Sequence, residues 1–138
     1  MKNIKSPVLF SGIIIFLAFL LHFSYFAVLN RNLLAYQEQI QLFRFSPDYF
    51  PDFLSRPGGL SEYAGAFLMQ FYVNPTIGAL IVTIAAFGIF AICRGLLKKL
   101  DIKGVLWPLI LVFLLLILQS DYVYYVSYTL GFLSVLVL

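Results

Sequence analysis

The sequence predicts an all-α integral membrane protein with about four transmembrane helices and an interfacial helical loop between the first and second. Two observations carry that class. Of 138 residues, 62% are hydrophobic and 11% charged; an ordinary soluble domain has about 25% charged residues, so this chain has too few polar groups to cover a globular surface. The charges are also confined, with seven of the fifteen lying between Asn30 and Asn74 and most of the others flanking apolar runs. A soluble fold would have to bury every apolar run, whereas a chain of this size leaves about a third of its unfolded surface exposed.

The same composition excludes several functions. The net charge is +3, but the basic residues cluster at the ends of apolar runs, where they set membrane orientation, and form no stripe for nucleic acid. One cysteine, Cys93, excludes an internal disulfide, and one histidine, His22, cannot assemble a zinc set. No metal and no cofactor are expected.

Residues 1–138 read as a single membrane module with spans at about 7–29, 75–93, 102–119 and 122–138 and an outer loop over 30–74. After the basic lead Met1-Lys2-Asn3-Ile4-Lys5, Ser6 and Pro7 suit the N-cap and first position of a helix. Val8 to Leu29 carries no charge, and its fifteen Leu, Ile, Phe and Val residues favour insertion by about 5–9 kcal/mol, more than Ser11, His22 and Ser24 cost. Tyr25 and Phe26 occupy the place where a signal peptidase needs small residues, so a retained anchor is expected.

The loop carries Arg31, Arg44 and Arg56 against Glu38, Asp48, Asp52 and Glu62. Each charge would cost about 2.5–3.5 kcal/mol at mid-bilayer, so the segment as a whole does not span. Its interleaved Tyr and Phe residues predict that it lies on the membrane. Arg31 to Phe43 has helical spacing. Pro51 cannot donate to the carbonyl of Pro47, so Asp48 and Asp52 are not expected on one regular helix face. Arg56-Pro57-Gly58-Gly59 predicts a type II turn, with Gly58 at the position needing positive φ. Leu60, Tyr63, Ala64, Phe67, Leu68 and Phe71 then share one face of a helix that is interfacial or dips into the bilayer as a re-entrant element, while Glu62, Gly65, Ala66, Met69 and Gln70 fall off that face.

Asn74-Pro75 starts the second span, whose Gly78, Ala79, Thr83, Ala85, Ala86 and Gly88 allow close helix approach. Arg94, Lys98, Lys99 and Lys103 mark the cytoplasmic side, and Asp101 is expected to cap the third helix. Gln119-Ser120-Asp121 makes an outer turn. The last stretch, about 25 Å long as a helix from Tyr122 against roughly 30 Å of hydrocarbon, stops without a polar tail, which reads as the N-terminal part of a longer protein. Both termini are then cytoplasmic in an inner membrane, and the loop 30–74 is extracytoplasmic.

Glu38-Gln39 with Leu42-Phe43, Asp48-Tyr49-Phe50, Pro57-Gly58-Gly59-Leu60, and Phe67 with Gln70-Phe71 form a set that resembles a family of large bacterial multi-pass membrane proteins of unknown function. The likeness covers roughly the first 90 residues; it implies a longer natural chain and no particular activity. The order of one span and a long acidic outer loop also resembles the start of membrane glycosyltransferases that use polyprenyl-phosphate sugars. That likeness implies Glu38 or Asp48 as a base, although Glu38 lies farther from the membrane exit than the acid of those enzymes. Arg56 beside Gly58 and Gly59 could hold a phosphate or a lipid headgroup through its guanidinium and the turn's N–H groups. The expected partners are the lipid bilayer and a lipid-linked substrate or a partner membrane subunit. The primary expectation is the membrane module of a larger envelope protein, with the glycosyltransferase as the alternative.

Overall fold

A computed structural model describes the backbone of residues 5–102 and 104–137, with side chains from Leu9 onward. The lead Met1–Ile4, Lys103, Leu138 and the side chains behind the Ser6-Pro7 cap lie outside the described residues. Within them the chain is all-helical. Helix α1 (Lys5–Ser24) runs into a π-helical turn (Tyr25–Leu29), closed by the Asn30 N–H on the Tyr25 carbonyl at 2.8 Å. Then follow α2 (Arg31–Ile40), α3 (Tyr49–Leu54), α4 (Gly59–Met69) with a 3₁₀ turn (Gln70–Val73), α5 (Pro75–Lys99), α6 (Leu106–Gln119) and α7 (Val126–Val137).

Two helical stretches are long and apolar enough to cross a membrane, Leu9–Leu29 and Pro75–Lys99. Helices α6 and α7 are shorter, 14 and 12 residues. Helix α5 starts as its sequence predicts: Asn74 Oδ1 accepts the Thr76 N–H at 3.0 Å, with Pro75 at the first position. It is the central element, packed against α1, α2, α6 and α7. Its small residues make that approach possible, since Gly78, Ala79, Thr83, Ala85 and Ala86 are all buried.

Helix α4 lies along α7. A side chain at Gly65 would place its Cβ 2.6 Å from Ser127 Cβ, Ser61 lies against Gly131, and Gly59 shares a cleft with Ser134. These pairs run in opposite directions, so the two helices are antiparallel. Gly88 of α5 faces Leu133 of α7, while Gly78 faces Tyr72 at the end of the 3₁₀ turn. The turn before α4 therefore sits about 15 Å along α5 from Tyr72. The central segment folds down the side of the bundle instead of lying wholly across its end.

One expectation, the capping role of Asp101, is corrected here, after two features of the central segment. The buried face of α4 is Gly59, Gly65, Ala66 and Met69, while Leu60, Phe67 and Phe71 are exposed. Closeness of backbones decided the contact, not apolar size. Helix α3 runs through Pro51, because a proline in the first helical turn removes an N–H that has no helical partner anyway. Asp48 stands just ahead of that helix and Asp52 within it. Asp101 does not cap α6, which starts after Val105. Instead Asp101 adopts φ 58 in a Schellman ending of α5, where Ile102 N–H reaches the Leu97 carbonyl at 3.0 Å and Asp101 N–H that of Lys98 at 3.2 Å.

The core is mostly apolar, yet many large apolar side chains face outward and several uncharged polar ones lie inside. Leu9, Leu21 and Trp107 are 68%, 72% and 66% exposed, whereas His22, Thr83, Gln119 and Thr129 are at most 4% exposed.

Candidate functional site

The turn Arg56-Pro57-Gly58-Gly59 has the geometry its residues dictate. Gly59 N–H donates to the Arg56 carbonyl at 3.1 Å, and Gly58 takes φ 78, ψ 2, the third position of a type II turn. Gly59 is required for a different reason: the Phe53 carbonyl occupies the place of a Cβ. The Gly58 carbonyl then accepts the N–H groups of Ser61 at 2.9 Å and Glu62 at 3.1 Å, which starts α4.

Rings hold this hairpin closed. Phe43 packs edge-on to Tyr49 and Phe67 with centroids 5.1 and 5.6 Å apart, and Tyr63 meets Phe43, Phe50 and Phe53. Each such pair contributes about 0.5–1.5 kcal/mol beyond area burial. The loop aromatics therefore pack largely on one another.

Arg56, Gly58 and Gly59 come together with Ser61, and with Ser134 of α7, around a cleft of about 340 Å³. The structure does not bring Glu38 or Asp48 to it: Glu38 is half-buried on α2 and Asp48 is exposed before α3. Among the described residues, no carboxylate lines the cleft. It can hold an anionic or hydroxyl-bearing group but carries no side-chain base of its own. Among the described residues, no three His, Cys, Asp or Glu side chains are grouped to hold a metal ion.

A second constellation lies inside the bundle. His22 Nδ1 and Thr83 Oγ1 are 3.0 Å apart, joining α1 to α5. Gln119 Nε2 donates to Thr129 Oγ1 at 3.2 Å, joining α6 to α7, and its side chain lies beside the His22 ring. Thr129 reaches Tyr124 Oη at 3.3 Å, and Gln37 Nε2 of α2 donates to the Tyr124 carbonyl at 2.9 Å. Among the described residues, His22 Nε2, Gln119 Oε1 and Tyr72 Oη are buried without a hydrogen-bond partner. Burial alone pushes the Tyr72 phenol above its ordinary range.

His22 lies inside the first apolar run and bonds a neighbouring helix. Gln119 ends a second apolar run, and Thr83 and Thr129 lie inside two others. The signal was present, since a polar residue inside an apolar run turns toward a partner helix.

No curated protein and no solved structure matches the chain. Residues 5–138 match the family of unknown function DUF6057, and the chain belongs to that family.

Proposed function

We propose that the chain is a membrane-embedded module of a larger envelope protein, in which all four apolar helices lie in the bilayer and α3–α4 forms a re-entrant hairpin beside α7. The inverted distribution of side chains carries this reading. A water-soluble core would bury Leu9, Leu21 and Trp107 and expose Gln119 and Thr129, whereas lipid solvates the former and leaves the latter to pair with one another. The basic end of α5 is cytoplasmic and the segment 30–74 enters from the opposite side.

Carbonate extraction of membranes expressing the chain, followed by labelling of single cysteines in a Cys93→Ser background, tests this reading. Asp48→Cys should label from outside, and Lys99→Cys only after permeabilisation. Recovery of the chain in the carbonate supernatant sinks the membrane reading; labelling of both sites from one side sinks the topology.

A second reading is favoured by the gathering of Arg56, Gly58 and Gly59 in one cleft. There the cleft holds the phosphate or headgroup of a lipid-linked substrate for a glycosyltransferase completed by a longer chain, with Glu38 or Asp48, which stand outside the cleft, meeting the sugar beyond it as base. Glu38→Gln and Asp48→Asn would then abolish sugar transfer without changing insertion. Unchanged transfer in both variants removes that reading.

A further inference from the structure

At the basic end of α5, a cleft of about 430 Å³ opens between α1 and the α5–α6 connection. Arg94 and Lys98, four residues apart on α5 and so on one side of it, both line the cleft. Ser11 of α1 forms the facing wall, and Gly104 and Val105 complete it at the start of α6. The last carbonyls of α5 are already closed by the backbone N–H groups of Leu100, Asp101 and Ile102. The two cations are therefore not needed to cap the helix. Asp101 also lines the cleft, leaving one net positive charge among its described side chains.

A second opening lies on the same seam. Ala18, Leu21 and His22 of α1 face Leu109, Val112 and Leu116 of α6 across an apolar groove of about 170 Å³. Helices α1 and α6 run in the same direction. The groove begins seven residues beyond Ser11 on one helix and includes Val112, seven beyond Val105, on the other, about 10 Å farther along each. Contact between α1 and α6 is sparse compared with that of either helix with α5. A cationic pocket continued by an apolar furrow is the complement of one kind of molecule, an anionic headgroup on a hydrocarbon chain.

We propose that the α1–α6 seam binds one anionic phospholipid, with its phosphate between Arg94 and Lys98 and an acyl chain in the groove beside Leu109 and Val112. The proposal rests on the membrane reading above. Basic pockets between helices on the cytoplasmic side recognise such headgroups, with each Lys or Arg adding about 1 kcal/mol, or about fivefold in affinity. Charge that only sets orientation makes a different demand, because it is indifferent to which lysine of the cluster is present. Lys99 supplies that contrast: it is exposed and does not line the cleft.

The test uses the intact chain, delipidated in neutral detergent and titrated with phosphatidylglycerol, phosphatidylcholine of the same chains, or inorganic phosphate. The readout is the fluorescence of Trp107, the sole tryptophan, two residues from Val105. Phosphatidylglycerol should give a saturable change at least about tenfold tighter than phosphatidylcholine. Arg94→Ala and Lys98→Ala should each weaken it about fivefold, and Lys99→Ala by less than about twofold. Asp101→Asn should tighten binding, a gain that misfolding cannot imitate. Ala18→Phe, which fills the groove, should weaken phosphatidylglycerol and leave the phosphate response unchanged.

Equal loss from Lys99→Ala and Lys98→Ala, or equal affinity for the two lipids, overturns the site. A phosphate response as tight as that of phosphatidylglycerol, with Ala18→Phe silent, overturns the lipid in favour of a free anion. Either result with the chain still in the carbonate pellet leaves the membrane reading intact; release into the supernatant defeats that reading itself.

Discussion

Around Thr83, hydrogen bonds tie the helices together, His22 to Thr83 across α1 and α5 and Gln119 to Thr129 across α6 and α7. Around Ile89, α5 and α6 meet through Ala86, Ile89, Phe90, Val112 and Leu115, with no polar side chain in that cluster. In lipid the second kind of contact gains nothing from the hydrophobic effect, since acyl chains are as apolar as leucine, and only packing holds it. Hydrogen bonds specify the rotation of one helix against the next at the polar end, and close packing alone does so at the apolar end.

The largest expected effect attacks the polar end through its closest backbone approach. Gly65→Leu drives a side chain into Ser127, and reversible unfolding in mixed micelles should show a loss of about 1–3 kcal/mol. Wild-type stability in that variant would mean that α4 does not pack on α7 at this register. Next comes the hydrogen bond itself. A double-mutant cycle on His22→Leu and Thr83→Val should give a coupling of about 0.6–1.7 kcal/mol, and a cycle on Ile89→Ala and Val112→Ala a smaller one. Equal couplings would erase the distinction between the two ends.

A smaller effect sharpens the apolar end. Asp101 holds φ 58, where glycine has no steric cost. Asp101→Gly should stabilise the chain by up to about 1 kcal/mol in the same unfolding assay, by removing the cost of a left-handed non-glycine residue; a loss would show that the aspartate side chain and the stiffer unfolded chain contribute more than its backbone costs.

The smallest effect at neutral pH is that of Tyr72→Phe. Its hydroxyl is buried with no hydrogen bond among the described residues, so removal gives up no bond and should not lower stability. The difference emerges in alkali. The folded phenol titrates above its unfolded value of 10.0, so the wild type is fully stable with respect to this group below that pH and loses stability as pH rises beyond it. Tyr72→Phe lacks that loss, and parallel unfolding curves from pH 9 to 11 for both proteins would contradict the burial.

Much of this fold could be read from residue order, and the exceptions share a cause. Asn74-Pro75 and Arg56-Pro57-Gly58-Gly59 behave as local chemistry requires, because a cap or a turn is decided within four residues. The apolar periodicity of α4 did not decide which face packs on the bundle, because periodicity reports which residues share a side, not whether the medium outside is water or lipid. Asp101 failed as a cap for a related reason: α5 continues to Lys99, and only the position of its end shows that Asp101 closes one helix instead of opening another. Of the candidate site residues, Arg56, Gly58 and Gly59 were legible as a group through their turn. Glu38 and Asp48 carried no such constraint, and the fold leaves them apart from it. Gln119 and Thr129 meet only because α6 and α7 double back on each other.

Helix α5 has 25 residues and α1 has 20, continued by a π turn of 5, whereas α6, bounded by turns at both ends, has 14. These counts correspond to lengths of about 37 Å for the long helices and about 21 Å for α6. Across roughly 30 Å of hydrocarbon, in the membrane proposed above, the long helices would tilt and the bilayer would thin on the flank of α6. At fractions of a kcal/mol for each ångström of mismatch, the thinned flank favours neighbours with short chains or other proteins that relieve the same deformation. Elastic strain in the surrounding bilayer would thus orient the molecule among its neighbours without any contact between them.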